Sequence, residues 1–235
     1  MPRKIKISRK KIDEPDEFVS TSSSVIDYLR NNYRNIIPAT VLVLAIAMVA
    51  FGWFYYSKGR ASEAASLLYQ SKKIYNTSQH AQNNDQSVEE TYRLSLDKFD
   101  DIKNKYPGTS SAIESSFYIG DCYYRLREYD KAIDYYHQFL NSSSKGDYLM
   151  YFAFEGLGYC YEEKGDYEKA LENFKKSIEE SEMDIKELAW VNIARCYEAL
   201  NDKAKALEFY QKLSDDQSNS IFSELVQDKI ENLTN

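Results

Sequence analysis

Three cysteines and two histidines are the residues of this 235-residue chain best suited to chemistry, and their spacing decides what they can do. Cys122, Cys160 and Cys196 recur 38 and 36 residues apart, each two residues after a Gly or Ala. Thiols brought together would form disulfides in an oxidising compartment or hold a metal. Equivalent places on stacked helices, however, lie about 10 Å apart, whereas a disulfide needs Cα atoms within about 7 Å. The expectation is three free thiols that pack as small hydrophobes. No Cys-x-x-Cys-His run offers covalent haem attachment. His80 and His137 have no cysteine or histidine at ligand spacing. No phosphate-binding glycine loop, nucleophile elbow or isolated carboxylate pair stands apart from the many surface acids. The residues therefore predict no enzyme, no metal and no cofactor.

The cysteines belong to a phrase written three times: Ile119-Gly120-Asp121-Cys122-Tyr123, Leu157-Gly158-Tyr159-Cys160-Tyr161 and Ile193-Ala194-Arg195-Cys196-Tyr197. Twelve residues after each Gly or Ala stands an alanine (Ala132, Ala170, Ala206), and four later an aromatic (Tyr136, Phe174, Tyr210). This layout resembles the tetratricopeptide repeat, a helix-turn-helix unit of about 34 residues. Such a unit cannot bury its apolar face alone, so neighbours must stack. The small residues mark the closest approach of the two helices, and the tyrosines and the later aromatics fill the gap. Three clear repeats fall at about 113–146, 151–184 and 187–220, within a repeat domain spanning 57–235. A divergent first repeat at about 60–109 ends at Tyr106-Pro107-Gly108, where the proline disfavours helix at the residue before it. Its two helices are expected to be joined by a polar loop from Asn76 to Ser87. A capping helix at 220–233, with Ile221, Leu225, Ile230 and Leu233 as its apolar stripe, closes the stack. The fold class predicted is all-α: a single transmembrane helix followed by a tetratricopeptide-repeat α-solenoid with a C-terminal capping helix.

The transmembrane expectation rests on residues 36–56, IIPATVLVLAIAMVAFGWFYY, which carry no charge. At about 1.5 Å per residue they reach roughly 30 Å, the thickness of the hydrocarbon core. Trp53, Tyr55 and Tyr56 crowd one end, where amphipathic rings favour the headgroup layer. The run is longer and further from the N-terminus than a secretory signal, so it reads as an uncleaved anchor. A basic, polar tail (1–19) and a juxtamembrane helix (20–35) precede it. Residues 1–35 hold eight Lys/Arg against five Asp/Glu, while 57–235 hold 22 against 32. The basic flank favours a cytoplasmic N-terminus and an exported repeat domain. The acidity of that domain argues against nucleic acid as a partner.

In a solenoid of this kind the first helices of the repeats line the concave face. The register places Phe117, Asp121, Tyr124 and Arg125 there from the first clear repeat. Phe152, Glu155, Tyr159, Glu162 and Glu163 follow from the second, and Val191, Arg195 and Glu198 from the third. These twelve form a candidate groove for an extended or helical segment bearing basic and apolar residues. Equally, Phe117 and Phe152 pack inward and the acids form a solvated face.

With its basic tail, one span, the Ala61-Ser62-Glu63-Ala64-Ala65 helix, the Tyr106-Pro107-Gly108 stop and a terminal Lys229-Ile230-Glu231-Asn232-Leu233, the chain resembles the bitopic tetratricopeptide proteins of bacterial inner membranes. Its best-known member is the ancillary subunit of the Sec translocon. That resemblance implies a single-pass inner-membrane adaptor with periplasmic repeats, assisting protein export. Its partners would be translocon subunits, exported polypeptides or periplasmic chaperones, with residues 36–56 in the bilayer. Two alternatives remain: a structural subunit of another envelope assembly, and a membrane-anchored regulator acting through its cytoplasmic tail.

Overall fold

The computed structural model describes residues 17–80, 85–179, 186–215 and 222–234, and among them every regular element is a helix. They are α1 (Glu17–His80), α2 (Asp85–Lys105), α3 (Ser110–Arg125), α4 (Tyr129–Ser142), α5 (Leu149–Glu163), α6 (Tyr167–Glu179), α7 (Glu187–Ala199), α8 (Lys203–Asp215) and α9 (Ser223–Thr234). The chain divides into two compact units, Met1–Lys58 and Gly59–Asn235. The basic residues expected to form the tail's charge, Arg3 to Lys11, lie outside the described residues.

In the first unit α1 is helical from Glu17 onward, with Pro38 inside it. Residues 38–59 are exposed along their whole circumference, including Val41, Leu44, Phe51 and Trp53. Among the described residues this is the one helix long and apolar enough to cross a membrane.

The second unit is a stack of helix pairs in which each helix from α2 to α9 packs on the next, and the end of α1 meets α2 through Tyr75 and Tyr92. Helical structure in α1 runs on through His80, past Tyr75, where the sequence suggested a loop. Tyr75 explains the extension. It is 5 % exposed and its ring meets those of Tyr92, Phe99 and Tyr118 at 6.0, 6.3 and 5.4 Å. This aromatic anchor holds the helix in place against α2 and α3. At the loop's other end α2 already starts at Asp85, so residues 85–87 are helical too, and residues 81–84 lie outside the described residues. At the other end of α2, Gly108 takes φ +79°, and Thr109 then caps α3 by accepting a bond from the Ala112 amide at 3.2 Å.

The repeat phrase acts as the sequence pattern suggests, with one refinement. Ala132, Ala170 and Ala206 are fully buried, but the aromatic four residues on is what the small residue faces. A Cβ on Gly120 would lie 3.0 Å from the Tyr136 ring, and one on Gly158 2.4 Å from Phe174. Gly156 presses the other side of Tyr136, at 2.4 Å, so that ring is clamped between two repeats. The turn between helices also repeats. Arg127, Gly165 and Asn201, each seven residues after the Gly or Ala, all have positive φ (61°, 74°, 59°). The acid at each second helix's start repeats too: Glu128, Asp166 and Asp202 pair with Lys131, Lys169 and Lys205 at 2.6–2.7 Å. Those ammoniums sit 5.0–5.3 Å from the centres of the Tyr123, Tyr161 and Tyr197 rings.

The cap, α9, begins at Ser223, and its register differs from the expected stripe. Val226 is the buried residue, with Ile230 and Leu233 partly buried beside it, while Leu225 is 43 % exposed. Ile221 lies outside the described residues. Positions i, i+4 and i+7 from Val226 make one helical face, and Leu225 is one step off it. The three thiols are free and buried. Burial pushes those of Cys160 and Cys196 up to about 12.

Candidate functional site

Seven of the twelve candidate residues line one groove of about 600 Å³: Phe117, Asp121, Tyr124, Arg125, Phe152, Glu155 and Tyr159. Residues that the concave-face register omitted complete it. Tyr75 and Asn76 come from α1, Tyr118 from α3, Tyr148 from the turn before α5, Leu149, Tyr151 and Gly156 from α5, and Leu188 from α7. Tyr148 and Phe152, four residues apart, stand 53 % and 40 % exposed at its mouth. Phe117 is an inward-packing ring, 5.7 Å from Phe139 and 5.9 Å from Tyr136. Tyr151 is 1 % exposed, and its hydroxyl has no hydrogen-bond partner among the described residues.

The groove's polar residues do not face it as free charges. Asp121 accepts hydrogen bonds from the Tyr75 hydroxyl and, at 3.4 Å, from Arg125 and Tyr136. Burial, with the Asp121 charge beside it, pushes the Tyr75 phenol far above its ordinary value. Glu155 is 3 % exposed and lies among Ser177, Asn192 and Tyr159. Burial and the neighbouring Glu155 push Tyr159 up to about 12.

The other candidates are placed elsewhere. Arg195 donates twice to Glu162, both at 2.6 Å, while Glu198 accepts from Lys229 of the cap at 2.8 Å. Glu163 accepts from Tyr129 at 3.2 Å, and Val191 is buried at 6 %. A single geometric rule links most of them. The residue four after one repeat's Gly/Ala meets the residue one after the next repeat's. Tyr124 thus meets Tyr159 (rings 6.2 Å apart), and Glu162 meets Arg195. Glu198 closes the series on Lys229, and Tyr75 opens it on Asp121. The register that put these side chains on the concave face also makes them the rungs between repeats. No group of three His, Cys, Asp or Glu positioned to hold a metal occurs among the described residues.

Residues 109–182 and 188–220 each match a family model described as tetratricopeptide repeat. The second unit is a tetratricopeptide-repeat solenoid. Among solved structures it is similar to a Podosopora anserina protein with nearly identical TPR-like repeats of the kinesin light chain type. That match has 12 % identity and a TM-score of 0.56, and covers 74 % of this chain and 86 % of that one. A single-substitution variant of the same protein matches at 14 % identity and a TM-score of 0.54, over 74 % and 85 %. At such identities the likeness speaks for the fold. No curated protein sequence matches the chain. Tetratricopeptide repeats characteristically serve as scaffolds for protein–protein interaction.

Proposed function

We propose that this chain is a membrane-anchored adaptor whose repeat domain holds a polypeptide segment in the groove between α3 and α5. The observation that carries this reading is the groove's mouth, where Tyr148 and Phe152 stand exposed above a wall of further aromatic rings. Exposed rings over a preformed concavity suit an apolar or amphipathic segment. Its polar residues are already bonded to one another, so affinity would come from ring burial, and charge would serve orientation. The set of Lys, Asn and Arg that clamps a terminal carboxylate in chaperone-binding repeats is absent from this lining, so an internal segment is the fitting ligand.

The apolar part of α1 supports the anchor, and the basic N-terminal flank supports a cytoplasmic N-terminus with the repeats outside the bacterial inner membrane. The resemblance to the ancillary translocon subunits supports exported polypeptides, periplasmic chaperones or the channel itself as the partner. In-cell crosslinking followed by purification from gently solubilised membranes tests the whole reading, with Phe152→Ala/Tyr159→Ala as the groove variant. Translocon or exported chaperone subunits captured by the parent and lost by the variant are the expected result. Capture of a different envelope machine would keep the adaptor and overturn the export role. Labelling of an added surface cysteine in the repeats only from the cytoplasmic side would overturn the topology.

A further inference from the structure

The three repeats disagree at one buried place. Three residues before Gly120, Gly158 and Ala194 stand Phe117, Glu155 and Val191, exposed by 9, 3 and 6 %. Seven residues after Ala132, Ala170 and Ala206 stand Phe139, Ser177 and Leu213, all buried. In the first repeat the two positions meet as packed rings, and in the third both lie in one apolar cluster. The middle repeat has replaced the apolar pair with an acid and a hydroxyl 2.8 Å apart. A third polar group comes from the next repeat. Asn192 Nδ2 donates to Glu155 at 2.7 Å and to the Tyr159 hydroxyl at 2.8 Å, in a register position that the other repeats fill with Tyr118 and Gly156.

Hydrogen counting makes this cluster sensitive to one proton. Ser177 Oγ lies 2.8 Å from both Glu155 Oε1 and the Phe174 carbonyl, yet its hydroxyl has a single hydrogen. A protonated Glu155 donates to Ser177 Oγ, and the serine hydrogen then goes to the carbonyl. An ionised Glu155 must take the serine hydrogen for itself and keep its charge in a dry place. Glu155 has no ion-pair partner among the described residues, because Arg195, the nearest cation on α7, is engaged by Glu162.

We propose that the joint between the second and third repeats is a proton-controlled latch: protonated Glu155 closes it through Ser177 and Asn192, and loss of that proton loosens α6 against α7.

The surroundings agree. Burial pushes the Glu155 carboxyl up from its ordinary 4.5 to about 7, against the pull of Ser177, Asn192, Tyr159 and Arg195. The titratable or charged groups facing it are Tyr151 and Tyr159 on α5 and Arg195 and Cys196 on α7. On the far side of α5, α3 and α4 present Tyr124, Tyr136 and Asp121, the last bonded to Arg125. The four tyrosines and the cysteine, whose pKa values are raised by burial, stay neutral across this range, so Glu155 is the group that changes. A carboxyl whose folded pKa is raised binds its proton better in the closed state between pH 4.5 and 7. The latch therefore weakens as pH rises through that window and levels off above it.

The test uses the full chain in a mild detergent. Hydrogen exchange of α6 and α7, corrected for the intrinsic pH dependence, should show opening that increases on the order of 70-fold from about pH 5 to about pH 8. α3 and α4 should stay constant. Glu155→Gln should abolish the trend, and Glu155→Val/Ser177→Leu, which copies the third repeat, should abolish it if the first variant folds poorly. In the unsubstituted protein the Glu155 side-chain carboxyl carbon resonance should titrate near pH 7. A midpoint near 4.5, or a trend equal in the parent and the variants, would overturn the latch.

Discussion

Replacing glycine by alanine at three helical positions should give two different outcomes, because the nearest ring atom would lie 3.0 Å from a Cβ on Gly120 but 2.4 Å from one on Gly156 or Gly158. In a helix interior the change stabilises by about 1 kcal/mol when the methyl finds room. At Gly120 the new Cβ would lie 3.0 to 3.2 Å from Tyr136, so the ring must yield only by tenths of an ångström. Gly120→Ala should therefore come out within about 0.5 kcal/mol of the parent, since overpacking and helix propensity offset one another. At Gly158 the Cβ would lie 2.4, 2.6 and 2.7 Å from three atoms of Phe174. That is more than about 1 Å inside the usual carbon–carbon separation. Phe174 is fully buried and its ring is held by Tyr159 at 5.2 Å, so it has nowhere to go. Overpacking of this kind costs about 1–3 kcal/mol. With the ring fixed the cost lies in the upper half of that range, and subtracting the propensity gain of about 1 kcal/mol leaves Gly158→Ala destabilised by about 1–2 kcal/mol. Gly156→Ala pushes Tyr136 toward Gly120, so the Gly120→Ala/Gly156→Ala double variant should lose more than the sum of its parts, by at least about 0.5 kcal/mol. Urea unfolding of the full chain in detergent, followed by far-ultraviolet circular dichroism, measures all four proteins. Equal stabilisation by all three single alanines would show that the rings move freely and would refute the clamp.

The turn after each first helix predicts an improvement. Arg127 occupies φ +61° where the other repeats use Gly165 and Asn201, so Arg127→Gly should raise stability by up to about 1 kcal/mol in the same urea assay. Of the cross-repeat links, Glu162→Ala removes a half-exposed ion pair and should cost no more than about 1 kcal/mol, with the loss shrinking in high salt. The buried thiols Cys122, Cys160 and Cys196 should resist an aromatic disulfide reagent in the native protein and react together once urea unfolds it. Stoichiometric labelling of the folded chain would contradict their placement.

Which parts of this molecule could be read from sequence follows from what repeats make visible. Gly120, Ala132 and Tyr136 recur in register because each unit needs the same close approach, so three copies announce both the helices and their packing. The tyrosine that opens the ladder of links, Tyr75, has no such signal. It lies in the divergent first repeat, and only its burial against Tyr92, Phe99 and Tyr118 shows why α1 continues past it. The groove was half legible. First-helix register locates Tyr124 and Tyr159, but it carries no signal for cross-repeat pairing, and Glu162, Arg195 and Glu198 are tied up between repeats. Tyr148 was missed because it sits outside the helical register, in the turn before α5. A comparison of the three copies position by position would have singled out Glu155 and Ser177, where acid and hydroxyl replace Phe117 and Phe139. The cap's register depends on the helix start at Ser223, which no residue pattern marks clearly, so the sequence suggests Leu225 for the buried face where the structure has Val226.

On the proposed function, the α3–α5 groove is where this chain holds another polypeptide. The most direct measurement places a photo-crosslinking amino acid at Phe152 and, separately, at the exposed Leu94 of α2, in cells producing the full chain. Crosslinks to polypeptide from position 152, absent from position 94 and abolished by Tyr159→Ala, are the predicted result. Crosslinks from position 94 alone, or from neither position in a correctly inserted chain, would contradict it.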